Sequence, residues 1–414
     1  LSLAAFRVRS FRFQWSADLL TSWAFEMETL VLGWYVMVHT GSVLLLTAFG
    51  SLQYVGTLAA PMFGVLGDRL GGRTMLCAMR AIYAGLAALL TCLAAAELLT
   101  PAGVFVIAAV AGVVRPNDLV MRNSLIGETI PPDHLMGALG MSRATMDSAR
   151  IAGALAGAGL STALGIEYAY LFVTSFYVAS LLLTFGVARR PPVADRAASP
   201  SRALTPPSGW QELREGVVRV LRTPELLAMM LLAFLVNLTA YPVSNGLLPY
   251  VAQRIYRVDA TGLGWMVASF AFGGLVASAA TVVTGGARHP ERATLVATGI
   301  WYAVLLGFGQ VGSMGAGLVA LVMAGFAQNV AMISMTATLL AAAGAGFRGR
   351  VMGVRILAVY GLPVGLIASG FLIDGLGYPL TITVASTLGL ILTALIGLRW
   401  RASIWRGGRR PARV

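Results

Sequence analysis

Three acids stand within one apolar run near the start of the chain: Asp18, Glu26 and Glu28. Two later apolar runs carry mixed sets, Arg115, Asp118 and Arg122 in one and Arg143, Asp147 and Arg150 in the other. Spacings of three and four residues put each set along one helix face. Desolvation favours a neutral carboxylic acid and an adjacent guanidinium favours the anion. An acid moving between two such surroundings can therefore couple proton exchange to a change of shape. Glu26 is the leading candidate for that role, with Glu28 and Asp18 as substitutes and Arg115 as leading partner or substrate anchor. The plainer alternative is that each mixed set neutralises itself as a structural network, and for these sets both readings stay open.

The elements that must hold these groups are membrane helices. Hydrophobic residues make up 57% of the 414-residue chain and charged ones 11%, more apolar surface than a soluble domain of this size needs. Apolar runs predict six spans at roughly 15–38, 43–66, 75–96, 101–125, 138–163 and 167–187. Six more follow at roughly 225–250, 261–284, 293–312, 315–341, 351–373 and 377–398. The first run lacks the pattern of a cleaved signal peptide and is expected to be retained. The net charge of +13 comes from arginines in short loops and tails, the pattern that sets membrane orientation rather than nucleic-acid binding. Arg69, Arg73, Arg189, Arg190, Arg288, Arg292, Arg348 and Arg350 fall on one side and Arg254 and Arg257 on the other, which places both termini in the cytoplasm.

Three charges at mid-span cost on the order of 8–10 kcal/mol, while the first run's apolar side chains return about 5. The acids must therefore face water, find partners or hold protons. Arg115 and Arg150 are expected to be the deepest basic groups, and Asp18 to lie near the inner interface. The second half shows only uncharged mid-span groups: Asn237, Asn245, Gln310, Gln328 and Asn329. Ion coupling is thus expected in the first half. Trp23, Tyr35, Tyr241 and Tyr360 join Asn237, Asn245, Gln328 and Asn329 as candidate cavity-lining residues, against the plainer reading of aromatics as packing.

All 30 basic residues are arginine, which excludes lysine chemistry. Cys77 and Cys92 are about 22 Å apart along one helix and cannot bridge. The three histidines are widely separated, so no metal set is discernible and no cofactor is expected. The stretch 6–15 is a basic, aromatic lead-in expected at the membrane surface. In 188–222 a Pro-rich linker precedes a helix whose Trp210, Leu213, Val217, Val218 and Leu221 share one face, expected on the inner leaflet. Thr223 and Pro224 read as N-cap and N1 of the seventh span. An offset of 212 residues aligns Gly137 with Gly349, Arg143 with Arg355, Gly153 with Gly365 and Leu164-Gly165 with Leu376-Gly377. A half-chain repeat of this kind predicts two six-helix bundles with a binding site between them.

Between the second and third spans the chain reads Gly64-x-x-x-Asp68-Arg69-x-Gly71-x-Arg73. With twelve spans and a basic central loop, this resembles the loop signature of the major facilitator superfamily. Four stretches resemble its bacterial drug and siderophore exporters of the enterobactin-exporter type: 10–15, 149–153, 210–222 and 347–353. The resemblance implies that Gly64, Asp68, Arg69, Gly71 and Arg73 gate the cytoplasmic side. Gly72 stands where relatives carry Arg or Lys, leaving Arg73 for the ionic contact to an acid in the position of Glu128. Gly153 and Gly157 keep the glycines of the fifth-span antiporter pattern without its proline.

The expected fold is an all-α integral membrane protein with 12 transmembrane helices in two pseudo-symmetric bundles. Its segments are an N-terminal bundle (1–187), a cytoplasmic linker with an amphipathic helix (188–222), a C-terminal bundle (223–398) and a basic tail (399–414). The expected function is proton-coupled export of a small amphipathic organic molecule by a monomer in the bacterial cytoplasmic membrane. Its partners are substrate, protons and membrane lipid, including anionic inner-leaflet lipid, with no nucleic acid. Rival readings are a lipid or lysolipid flippase on the same fold, and a non-transporting receptor or scaffold. No nucleophile–base pair suggests an enzyme.

Overall fold

A computed structural model describes residues 6–59, 70–130, 132–188, 209–344 and 347–405, without the side chains of 128, 132–137, 139, 140, 143, 144 and 209–212. Every regular element among these residues is helical. The chain divides into two compact units, Leu1–Leu204 with Ala252–Ala268, and Thr205–Val251 with Ser269–Val414.

The first unit contains α1 (Arg9–Thr40), α2 (Val43–Leu52, followed by a 3₁₀ turn Val55–Ala59), α3 (Gly72–Ala95), α4 (Pro101–Thr129), α5 (Pro132–Leu164) and α6 (Ile166–Phe185). Local chemistry sets the ends. Gly41 takes the left-handed conformation that stops α1. Ser42 and Thr100 accept from the third backbone N–H of α2 and α4, and Pro101 fills N1 of α4. Helix α1 is central, packed on α5, α6, α4 and α2, and α3 packs on α6.

The second unit opens with α7 (Gly209–Arg222) and α8 (Pro224–Thr239). The seventh span continues beyond α8 through π-helical turns at Pro242–Gly246 and Val251–Ile255, loosened by Pro242 and Pro249, which cannot donate to a regular ladder. Then come α9 (Ala260–Thr284), which belongs to the second unit from Ser269 onward, α10 (Pro290–Phe308), α11 (Met314–Ala343), α12 (Arg348–Ala358), α13 (Gly361–Leu376), α14 (Tyr378–Arg399) and the short α15 (Arg401–Trp405). Here α8 packs on α13, α14 and α11, and α10 on α14, the same scheme as in the first unit.

Glycines make this scheme repeat. A Cβ on Gly153 would lie 2.8 Å from Glu26 Cβ and 3.0 Å from the Trp23 carbonyl oxygen, and one on Gly365 would fall onto the Leu238 carbonyl. Glu26 and Leu238 are separated by the same 212 residues as the two glycines. Gly165 and Gly377, also 212 apart, have φ of 95° and 81° ahead of α6 and α14. The internal repeat therefore extends to contacts and backbone conformation.

Among the described residues, eight helical stretches are long and apolar enough to cross a bilayer, two of them, Pro224–Ile255 and Arg348–Leu376, running through more than one labelled element. Outward-facing side chains such as Val106, Leu182, Phe371 and Leu395 are apolar, as lipid contact requires. The protein is an all-α, multi-pass membrane protein. Of the other expected spans, α1 is made less apolar by its own acids, and the second runs into residues outside the description.

One surface expectation needs correction. The aromatic lead-in is packed rather than laid on the membrane: Phe11 is buried with Ile126, Ile130 and Ala138, and Phe6 and Trp15 close over it. Trp15 Nε1 also donates to Thr145 Oγ1 at 2.8 Å. Helix α7 buries Gly216 and Val220, with Gly216 against the Arg350 carbonyl of α12, and leaves Val218 and Leu221 exposed. Gly216 allows that approach, and the exposed Val218 and Leu221 belong to the apolar face read from the sequence. Thr223 and Pro224 occupy the N-cap and N1 of α8 as expected, the cap without a side-chain hydrogen bond.

Candidate functional site: a buried charge network in the first unit

Helix α4 carries the network's arginines, and two features place them. Gly112 lets the end of α2 approach so closely that a Cβ there would meet the Leu52 carbonyl, which brings Gln53 beside Arg115. Pro116, inside the helix, removes a backbone donor from the next turn. Arg115 forms an ion pair with Glu28 and donates to Thr29 Oγ1 (3.2 Å) and Gln53 Oε1 (3.1 Å). Its guanidinium lies 4.6 Å from the centre of the Phe25 ring. The Tyr177 hydroxyl of α6 donates to Glu28 Oε2 at 2.7 Å. Glu28, Thr29, Gln53 and Arg115 border a small pocket, otherwise apolar, with room for about one water molecule.

Nearer the N-terminal end of α1 lies a second, drier cluster. Asp18 pairs with Arg80 of α3 and stands 3.6 Å from Arg122 Nε, while Arg122 pairs with Asp118 one turn back on α4. Arg80 also donates to Thr184 of α6. Arg122 Nη1 donates to Ser22 Oγ (2.8 Å) and the Asp18 carbonyl (3.2 Å), and Gln14 Nε2 donates to the Arg122 carbonyl (2.9 Å). Arg80 is fully buried and Asp18 only 3% exposed, so Asp18 does not reach an interface. Asp18, Glu28 and Asp118 balance Arg80, Arg115 and Arg122. That neutrality is what makes so many buried ions tolerable. Arg80 and Arg122, rather than Arg115 and Arg150, are the most completely buried basic groups.

Glu26 faces the other way. Its carboxylate is 3.6 Å from Arg150 of α5, and the two side chains are 30% and 40% exposed. Gly153 and Gly157 seat α5 against Trp23, Glu26 and Met27, which fixes that pairing. Asp147 is close enough to act electrostatically on Glu26. The side chains of Arg143 and Glu128 fall outside the description, as do Gly64, Asp68 and Arg69. Of the expected gating residues, Gly71 holds φ of 82° and Arg73 donates to the Phe185 carbonyl at 2.8 Å, capping the end of α6.

The remaining candidates scatter. Trp23 packs edge-on to Phe176. Tyr35 is buried, stacked on His39 and donating to the Leu99 carbonyl at 2.8 Å, which ties down a loop rather than lining a cavity. In the second unit Gln328 Nε2 donates to the Tyr241 hydroxyl (2.7 Å), and Asn329 donates to the Gly274 carbonyl (2.6 Å) and Ser278 (3.1 Å). Asn237 donates back to the Ala233 carbonyl at 2.8 Å. Asn245 lies in the π-helical turn Pro242–Gly246, and Tyr360 precedes α13.

Arg80, Tyr177, Tyr83 and Gln53 were not among the residues singled out from the sequence. Arg80 left a readable signal, a lone charge inside an apolar run, whose expense of about 2.5–3.5 kcal/mol requires a partner. Tyr83 and Tyr177 left none, since tyrosines in spans are usually packing.

Residues 15–249, more than half of the chain, match the sequence profile of the Major Facilitator Superfamily. The chain belongs to that superfamily, and its fold and charged helix interior are those of a membrane transporter. It is similar in structure to the human organic anion transporter MFSD10 (TETRAN), with 18% identity, 94% of this chain and 99% of that one covered, and a TM-score of 0.63. A POT family transporter in complex with a thioalcohol-conjugated peptide gives 13% identity, 96% coverage of both chains and a TM-score of 0.71. A bacterial homologue of the human lysosomal transporter Spinster, inward-facing and unoccupied, gives 12%, 98% and 99%, and 0.70. At such identities the likeness establishes the fold alone. No curated protein matches the chain in sequence.

Proposed function

We propose that this protein is a proton-coupled secondary transporter of the cytoplasmic membrane that exports a small amphipathic organic molecule. Within the superfamily we place it beside the drug and siderophore exporters, on the four stretches quoted above. The observation that carries the reading is the Glu28–Arg115 pair, buried in a membrane helix bundle beside a small pocket that it borders with Thr29 and Gln53. An ion pair at an effective dielectric of about 20 is worth about 4 kcal/mol, so protonating Glu28 releases Arg115 with about a thousandfold change in the equilibrium between two shapes. That is enough to drive alternating exposure of a site to the two membrane faces. Arg115, once released, keeps Gln53 and Thr29 as neighbours and can hold an acceptor group of the substrate. Asp18 is held by two arginines and is the weakest of the three acids as a carrier, while Glu26, the most exposed, fits proton entry or exit. The arginine bias of the loops supports cytoplasmic termini, and the exposed Arg214, Arg219 and Arg222 of α7 support contact with anionic lipid.

The test is transport in proteoliposomes, with a panel of amphipathic cations and siderophore-like chelates, with and without an imposed pH gradient. Glu28→Gln is expected to abolish gradient-driven movement while retaining downhill exchange. Gradient-driven transport at the native rate in Glu28→Gln overturns the assignment.

A further inference from the structure

Taking Glu28 as the proton carrier, as proposed above, leaves open how a proton leaves it. The Glu28 and Asp18 ends of the network are about 15 Å apart along α1 and their arginines about 10 Å apart along α4. A proton moves only between heavy atoms within about 2.6–3.2 Å of each other, or through one bridging water. Glu28 bonds Tyr177, no hydrogen bond joins it to Asp18 or Asp118 among the described residues, and Asp118 Oδ1 has no partner there, so a proton leaving Glu28 needs intermediaries.

Two tyrosines occupy the gap. Tyr177 already donates to Glu28 at 2.7 Å. Tyr83 of α3 lies with its ring centre 5.6 Å from that of Tyr177, and the Phe25 ring stands edge-on to both, at 5.0 and 5.8 Å. The Tyr83 hydroxyl is buried and has no hydrogen-bond partner among the described residues. Of the charges acting on it, that of Asp118 is strongest, followed by Arg115, Arg122 and Arg80. Asp118 Oδ1 is also buried without a hydrogen-bond partner among the described residues, as is Arg122 Nη2. Buried polar atoms without partners mark places where internal water belongs. From the other elements packed here, α1 presents Glu28 and Asp18 and α6 presents Tyr170, whose hydroxyl is likewise unpartnered and feels Glu28 most.

We propose that Tyr177 and Tyr83, joined by bridging water, relay the proton of Glu28 to Asp118, so that it crosses the interior of the first unit rather than the substrate's path. The Glu28 carboxyl gives its proton to Tyr177 Oη as the Tyr177 hydroxyl proton passes to water. That water gives a proton to Tyr83 Oη, and the Tyr83 hydroxyl proton passes through a second bridging water to Asp118 Oδ1. At each relay oxygen one O–H bond breaks and one forms, Glu28 loses one O–H bond and Asp118 gains one, both tyrosines end neutral, and Glu28 ends as the anion that Arg115 recaptures. Each cluster is neutral before it takes the proton, so one positive charge moves from one balanced set to another.

The experiment uses the full chain in lipid vesicles and protons alone as probe. After a jump from acid to alkaline pH, time-resolved infrared absorption follows the carboxylic acid C=O band that Glu28→Gln removes. Tyr83→Phe keeps the ring, and with it the packing on Phe25 and Tyr177. It is expected to retain the band and slow its decay on the order of 100-fold, as is Tyr177→Phe, while Tyr302→Phe in the second unit leaves it unchanged. A native rate of decay in Tyr83→Phe overturns the relay while leaving Glu28 as carrier. A band that persists in Glu28→Gln overturns both. Should Tyr83→Phe fail to fold, the native protein in mixed H₂O and D₂O decides: a curved dependence on deuterium fraction means several protons in flight, and a straight line refutes the relay.

Discussion

Arg80→Met is the most informative single change. It removes a guanidinium that touches Asp18 and Thr184 at a position with no solvent exposure. Asp18 is then left with Arg122, whose Nε is 3.6 Å away and which already serves Asp118. Two carboxylates share one guanidinium in a dry interior. Breaking a buried pair costs about 3–5 kcal/mol, and the remaining arginine puts this case near the lower end, at about 3. Thr184 still donates to the Ser180 carbonyl, so its loss adds about 1 kcal/mol. The charge-balanced pair Asp18→Asn with Arg80→Met leaves Arg122 and Asp118 matched and is expected to recover about 2–3 kcal/mol. Unfolding by SDS titration in mixed micelles, followed by tryptophan fluorescence, gives the comparison. The reasoning is refuted if the single change costs under about 1 kcal/mol, the range of an exposed pair, or if the double variant is no more stable than the single.

Gly365→Ala, whose Cβ would land on the Leu238 carbonyl, is expected to cost about 1–3 kcal/mol, whereas Gly159→Ala meets nothing within 4 Å and should gain up to about 1 kcal/mol in helix propensity. Thermal unfolding in detergent ranks the two, and equal effects would contradict the close-approach argument. Glu215→Ala breaks a half-exposed pair with Arg350 (2.9 Å) and should change stability by less than about 1 kcal/mol in the same assay.

Much of the architecture could be read directly. Apolar runs placed the helices because a bilayer demands length, and the offset between halves marked Gly153, Gly165, Gly365 and Gly377 before any contact was known. The i, i+4 spacing of Asp118 and Arg122 became an ion pair. What escaped depended on which side of a helix meets which neighbour. Asp18 sits only ten residues from the start of α1, and distance from a helix end is a poor guide to burial when α3 supplies an arginine opposite. The partner of Glu28 had to come from another helix, and periodicity within one segment cannot specify its side-chain geometry. The lead-in around Phe11 looked amphipathic in isolation, yet the C-terminal end of α4 and the N-terminal part of α5 offer it an apolar seat.

The choice of arginine at positions 80, 115 and 122 has a bearing on leakage. A guanidinium stays protonated at any pH a cell meets, so it can attract or release a partner but never hand over a proton. Beside these arginines the acids and phenols of the network can carry one, and their order along the helices sets the route. A lysine at position 115 would introduce an ammonium able to surrender its proton when its counter-charge vanishes, a short circuit that could dissipate the gradient without moving cargo.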